Sequence, residues 1–291
     1  MKLLIAFALL VTVTGCSSSE KAADTPAQPE AAAKATPRPL PTTIEEAVNS
    51  EFRAADNRPR DVYRHPVETL KFFGLQPNMT VVEITPGNGW YMQILAPLLA
   101  TNGKYYAAVA DPGDSDYMKK MSANIADWIK SHPELEGKVA MSPFNLPADA
   151  AVAPEGTADL VLTFRNVHNW MSKGNEAAAF TAFFKALKPG GTLGVVEHRA
   201  DSKKPMDPKA KSGYVTEKFV IDLAKKAGFQ LVEKSEINAN PKDTKDHPEG
   251  VWTLPPTYRL GDKDREKYAA IGESDRMTLK FVKPIKGKKK K

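Results

Sequence analysis

Cysteine is almost absent. Cys16 is the only one among 291 residues, which excludes an internal disulfide and a zinc site built from thiolates. Long apolar runs are equally scarce. Only the first 15 residues or so are continuously apolar, too short a stretch to span a bilayer comfortably. Histidines are few and scattered, at His65, His132, His168, His198 and His247. No H-E-x-x-H or H-x-x-x-H pair occurs, so no metal site is expected. A G-x-S-x-G elbow and a P-loop are also missing, which argues against a serine hydrolase and a P-loop nucleotidase. The net charge of +6 is accounted for by Lys2 and the terminal Lys286, Lys288, Lys289, Lys290 and Lys291. The remainder is near neutral, and composition gives no support to a nucleic-acid groove.

What is present is a folding composition, 42% hydrophobic and 26% charged, of a length that suits one large domain with appendages. Met1-Lys2, the apolar run Leu3 to Val13 and then Val13-Thr14-Gly15-Cys16 form a secretory signal pattern over residues 1–15. The V-T-G-C ending resembles a bacterial lipobox. That resemblance implies cleavage before Cys16, a lipid on its thiol and, with Ser17 next, an outer-membrane address facing the periplasm. Residues 16–43 are rich in Ala, Pro, Ser, Thr and Glu and lack aromatics. Such a segment cannot bury enough apolar surface to offset its ordering entropy, and it reads as a tether. Residues 286–291 read as a solvated basic tail.

Residues 44–285 alternate strand and helix patterns. Helical periodicity runs over 44–55, 66–73, 90–100, 117–131, 175–187 and 216–227, with a break at Arg58-Pro59 and a stop at Gly74. Apolar β-rich runs occupy 80–84, 104–110, 138–142, 158–164, 192–197, 229–237 and 276–282, and a Lys188-Pro189-Gly190-Gly191 turn precedes the fifth. Apolar strands separated by helices predict a mostly parallel sheet covered on both faces. The polar 238–275 stretch reads as a return loop, which makes the last strand antiparallel.

The first strand runs into Thr85-Pro86-Gly87-Asn88-Gly89 and then a helix. Gly87 and Gly89 permit positive φ and close approach of a ligand to the backbone, and the helix start offers unpaired amides. Glu83 lies two residues before the loop. Asp111 ends the next strand about 20 residues after the glycines, where a carboxylate can hold two ribose hydroxyls. His168 follows the fourth strand, and Glu197, His198 and Arg199 follow the fifth, on the rim where open α/β sheets place their sites.

V-V-E-I-T-P-G-N-G, A-D-P, A-D-L-V-L-T-F and L-K-P-G-G-T-L, in that order over about residues 60–285, together resemble class I S-adenosylmethionine-dependent methyltransferases. DVYRHPVETLKFFGLQPNMTVVEI with H-N-W and E-H-R is similar to a predicted bacterial exported group of that family. The resemblance implies a Rossmann-like, doubly wound, seven-stranded sheet and S-adenosylmethionine as cofactor. It implies that Glu83, Thr85, Gly87 and Gly89 form the cofactor loop and that Asp111 binds the ribose. Asn145 would lie near the adenine, Arg165 and Asn166 would lie over the methionine end, and Tyr63, Arg64 and His65 would fold over the cofactor. Thr85 stands where the family has its first glycine and Pro86 follows it, adding a Cβ branch and removing a donor.

Methyl transfer needs orientation above all. A base is required only where the acceptor holds its proton, and His168 is the candidate. Arg199 is the candidate for binding an acidic acceptor. The expectation is thus an exported, lipid-anchored methyltransferase acting on a small molecule or envelope component. Two other readings stay open. One is a binding module on the same fold, its pocket marked by exposed aromatics around Trp90, Tyr91 and Trp170. The other is a nicotinamide oxidoreductase, disfavoured because N-G-W-Y after Gly87 lacks the third small residue.

Overall fold

The computed structural model describes residues 38–285 except residue 114. The signal pattern, Cys16, most of the tether and the basic tail lie outside the described residues. The described chain opens with α1 (Ile44–Asn49), a 3₁₀ turn (Ala55–Arg60), α2 (Asp61–Arg64) and α3 (Pro66–Phe73). Then come β1 (Thr80–Ile84), α4 (Met92–Leu99), β2 (Lys104–Val109), α5 (Asp116–Lys130), β3 (Val139–Pro143) and β4 (Ala158–Phe164). The chain continues through α6 (Val167–Lys173), α7 (Glu176–Ala186), β5 (Leu187–His198), α8 (Glu217–Lys226), β6 (Gln230–Ser235), α9 (Arg265–Ile271) and β7 (Arg276–Val282).

The seven strands form one sheet in the order β3-β2-β1-β4-β5-β7-β6. Pairs among β1 to β5 are parallel, and β7 runs antiparallel to both β5 and β6. This is the expected seven-stranded, mostly parallel sheet with an antiparallel last strand. Successive strand residues point to opposite faces. Val82, Ile84, Val161 and Val195 pack with Phe180 and Phe183 of α7 and Val220 of α8 on one face. Val81, Tyr105, Leu160 and Leu162 pack with Leu70 and Phe73 of α3, Ile94 of α4 and Ile125 of α5 on the other. Helices therefore cover both faces, and the C-terminal ends of β1, β2, β4 and β5 share one rim.

Four local expectations change. The first helix ends at Asn49 rather than near residue 55, and a 3₁₀ turn and α2 follow it. Its start is a capping box: the Thr43 hydroxyl accepts the Glu46 amide at 3.1 Å and the Glu46 carboxylate accepts the Thr43 amide at 3.3 Å. Residues 38–43, read as tether, lie on the domain: Pro41 is buried and Arg38 pairs with Glu134 at 3.2 Å. The K-P-G-G turn is a bulged start of β5, where Gly190 takes φ +85° and its amide donates to the Lys283 carbonyl at 2.8 Å. Finally, the polar 238–275 stretch is built, not loose. Asn238 donates to Thr69 and Thr278 at 3.0 and 2.9 Å, and Asp243 accepts from the Tyr214 hydroxyl at 2.9 Å. A core made of satisfied polar groups leaves no hydrophobic period to read.

Candidate functional site

Two clusters occupy the rim. The first follows β1, β2 and β3. The Thr85 amide extends the ladder to the Ala108 carbonyl at 2.8 Å, and the chain then turns through left-handed Thr85 at φ +50°, Gly87 at +63° and Gly89 at +78°. Thr85 thus adopts a conformation that costs a β-branched residue most and glycine least. Such strain marks sites the surrounding structure over-determines. A Cβ built on Gly87 would meet nothing within 4 Å, so the loop presents open backbone there. Next to it, Asp111 and Asn145 pair reciprocally: the Asp111 amide donates to Asn145 Oδ1 at 2.7 Å and Asn145 Nδ2 donates to Asp111 Oδ2 at 2.9 Å. Asp111 is exposed, and Asp111 Oδ1 accepts no hydrogen bond among the described residues. Glu83 lies beneath, 2% exposed, accepting the Tyr105 hydroxyl at 2.7 Å. Burial pushes its carboxyl up to about 7, against the opposing pull of Tyr105 and Arg165.

The second cluster follows β4 and β5. Asn166 is buried and donates to the Ile84 carbonyl at 3.0 Å and the Thr163 hydroxyl at 3.2 Å, tying the ends of β4 and β1 together. Glu197, with no exposed surface, accepts the amides of Val167 at 2.5 Å, His168 at 3.3 Å and His198 at 2.8 Å. It thereby caps α6, whose own N-cap side chain makes no capping bond. It also accepts His168 Nδ1 at 3.0 Å. A carboxylate already receiving amides accepts rather than donates, so the proton of a neutral imidazole sits on Nδ1 and the lone pair on Nε2. His168 Nε2 makes no hydrogen bond among the described residues.

His198 sits beside it, ring centroids 5.3 Å apart, with its Nδ1 at 2.5 Å from the Ser274 hydroxyl. Burial, then the charges of His168, Arg276, Arg165 and Arg64, hold the His198 imidazole well below its ordinary range. Ligand atoms of His168, Glu197 and His198 lie within 4.8 Å of one another. That closeness was invisible in the spacing of the histidines. A shallow cleft of about 170 Å³ opens beside Glu273 and Ser274, lined also by Tyr63, His65 and Asn240.

Arg199 is not available for an acceptor. Asp275 holds it at 3.0 and 2.9 Å and Glu236 at 2.9 and 2.7 Å, and these pairs raise its guanidinium further, Asp275 first. The unassigned cations are elsewhere. Arg165, left-handed at φ +61°, makes no side-chain hydrogen bond among the described residues. Arg60, Arg64 and Arg276 converge on Glu273, with Nε distances of 2.6 Å from Arg60 and 3.3 Å from Arg64. Tyr63 packs on Gly272, and its carbonyl accepts from Arg276 at 3.0 Å. His65 forms the left-handed joint between α2 and α3. Trp90, Tyr91 and Trp170 are all buried. Tyr91 stacks on Phe164 with centroids 3.7 Å apart, and Trp170 sits among Phe144, Phe180 and Phe183. They are core, not an exposed aromatic pocket.

No protein-family model matches this sequence, and no curated protein is similar to it in sequence. Solved structures are similar in fold. A SAM-dependent methyltransferase from Aquifex aeolicus superposes with a TM-score of 0.50 at 16% identity, over 77% of this chain and 92% of its own. The [4+2]-cyclase SpnF does so at 0.53 and 16%, over 83% and 92%. Phosphoethanolamine N-methyltransferase 2 from Haemonchus contortus, solved with S-adenosyl-L-methionine, gives 0.51 and 16%, over 83% of this chain and 56% of its own. These likenesses establish the fold, a Rossmann-like sheet of the methyltransferase type.

Proposed function

We propose that this chain is an S-adenosylmethionine-dependent methyltransferase, exported and lipid-anchored through Cys16, acting on a small-molecule or envelope acceptor. The observation that carries the reading is the left-handed Thr85–Gly89 turn, open over Gly87, one strand away from the exposed Asp111 and its partner Asn145. The residues fit the cofactor. Open backbone at Gly87 admits close approach, and Asp111 Oδ1 is free to accept ribose hydroxyls. Asp111 and Asn145 would hold the nucleoside, and the Thr85–Gly89 turn the middle and the amino-acid end. S-adenosylmethionine, when bound, supplies a methyl group already activated by its sulfonium.

The protein's own contribution is orientation and proton handling. Glu197 fixes the His168 ring and keeps its proton on Nδ1, so Nε2 takes a proton from an acceptor hydroxyl or amine. The chain from backbone amides through Glu197 to Nδ1 resists ring rotation. Export rests on the leader pattern and the cysteine that ends it. A second reading keeps the pocket without transfer. Pro86 removes one loop donor, and a [4+2]-cyclase shares this fold, so the fold by itself does not dictate methyl transfer.

The test is transfer of label from methyl-tritiated S-adenosylmethionine to an envelope extract by the full chain. His168→Ala should lower turnover by about 10²–10⁴-fold and leave the S-adenosylhomocysteine dissociation constant within about twofold. Binding without any transfer would favour the second reading, and absence of binding would defeat both the cofactor and the activity.

A further inference from the structure

The arginines on the rim outnumber what the proposed chemistry needs. Arg60, Arg64, Arg165 and Arg276 all act electrostatically on one carboxylate, Glu273. Burial alone would raise Glu273, but the four guanidinium groups overcome it and hold it well below the usual carboxylate range. Arg64 and Arg276 are 3% and 1% exposed. Arg276 Nε is buried with no partner, and the Arg165 guanidinium donates to no described residue. Burial and the neighbouring Arg276 push Arg165 down to about 10, so it keeps its proton at neutral pH. Glu83, the other carboxylate that Arg165 acts on, is already occupied by Tyr105. One carboxylate thus serves four guanidinium groups, of which Arg165 is half-buried and Arg276 Nε wholly buried, so positive charge is left over and the arrangement has the form of a site for an anion.

Geometry puts the surplus beside the His168–Glu197 pair. The Arg165 amide donates to the Val196 carbonyl at 2.7 Å, and Arg276 is the direct cross-strand partner of His198. The cofactor does not supply the missing charge. S-adenosylmethionine carries a sulfonium and an ammonium against a single carboxylate, so it adds to the positive field. A divalent cation is disfavoured for the same reason. Although His168, Glu197 and His198 are close, Glu197 is saturated by three amides and His168, and the arginines that depress His198 would repel a metal.

We infer that the methyl acceptor carries an oxyanion, a carboxylate or a phosphate ester, and that Arg165, with the positive field of the buried Arg276 behind it, binds it next to His168. This deepens the methyltransferase reading and rests on it. Arg165 suits the task because a planar guanidinium meets an oxyanion with two parallel N–H donors, which lysine cannot do.

The experiment uses the full chain in detergent with inorganic phosphate and benzoate as probes and neutral benzamide as control, titrated calorimetrically with and without S-adenosylhomocysteine. At least one anion should bind the S-adenosylhomocysteine-loaded protein, benzamide should bind at least about tenfold more weakly than benzoate, and Arg165→Gln should weaken the anion about tenfold or more. Arg165→Lys, which keeps the charge and loses the fork, should fall between. Circular dichroism confirms that each variant is folded. S-adenosylhomocysteine affinity should stay within about threefold in both variants. Anion binding that Arg165→Gln leaves unchanged, or no anion binding at all, overturns the inference. Anion binding that displaces S-adenosylhomocysteine overturns it too, because Arg165 would then serve the cofactor's carboxylate. Arg165-dependent anion binding in a protein that ignores S-adenosylhomocysteine would support the oxyanion site and defeat the transferase reading, so the two failures are distinguishable.

Discussion

The two halves of the rim solve opposite problems. The Thr85–Asp111–Asn145 side is open and lightly tied, with Thr85 and Asn145 half-buried and Asp111 exposed and held by a single side chain. The Arg165–His168–Glu197–Arg276 side is dense with charge and buried except for the half-buried Arg165, and its carboxylates Glu197 and Glu273 each have three or more partners. An open half gives a polar ligand room and free lone pairs. A closed half fixes side-chain direction and stores a field. The difference teaches that stability and cofactor binding should separate: the closed half carries folding energy, and the open half carries affinity for the cofactor.

The largest expected effect is on the closed half. Glu273→Gln leaves the converging arginines without their carboxylate and should destabilise the fold by about 3–5 kcal/mol, the usual cost of breaking a buried ion pair. Denaturant unfolding checks it, and a loss under about 1 kcal/mol would mean that solvent compensates the arginines. Next comes the pH dependence of Glu83, on the buried floor of the open half. Its folded carboxyl titrates near 7 against an ordinary 4.5, so the native state holds the extra proton and stability falls as pH rises through that window. The loss attributable to Glu83 should reach up to about 3 kcal/mol by pH 8. Comparison with Glu83→Gln isolates it, since His198, depressed in the fold, acts with opposite sign and only toward acid. A wild-type slope between pH 5 and 8 matching the variant's would remove the burial assigned to Glu83.

Thr85→Gly should stabilise by about 0.5–1 kcal/mol. Relief of the left-handed strain exceeds the added unfolded-chain entropy, and thermal unfolding would register it. Destabilisation there would mean that the threonine side chain carries a packing role. Smallest is Asp111→Ala, expected to change stability by no more than about 0.5 kcal/mol because the group is exposed. A larger loss would blur the contrast between the halves.

Much of the sheet was legible from local pattern. Thr80–Ile84 and Ala158–Phe164 read directly as strands because parallel strands buried on both faces are continuous apolar runs, and Arg276–Val282, though antiparallel, is also buried and β-rich enough to read as one. The rim positions of Gly87, Gly89 and Asp111 followed from loop spacing, and that of Asn145 from the family resemblance. What escaped is non-local. Helix α6 is capped by Glu197, thirty residues downstream, so its start carries no local signal. Arg64 meets Glu273 across 209 residues of sequence, and no periodicity links them. Arg199 was chosen because it follows a rim strand, yet Asp275 and Glu236 neutralise it, while the Arg165 side chain, just after β4, has no hydrogen-bond partner among the described residues. One missed feature had a readable signal: Thr43 and Glu46 spell a capping box, which marks where the ordered chain reaches its first helix.

The central claim is that the open half of the rim binds S-adenosylmethionine through Asp111. Calorimetric titration of S-adenosylhomocysteine into the full chain and into Asp111→Ala tests it most directly. The account predicts micromolar binding by the wild type and a loss of about tenfold or more in the variant, with unchanged folding. Equal dissociation constants for the two proteins, or no heat up to millimolar ligand in a folded wild type, would contradict it.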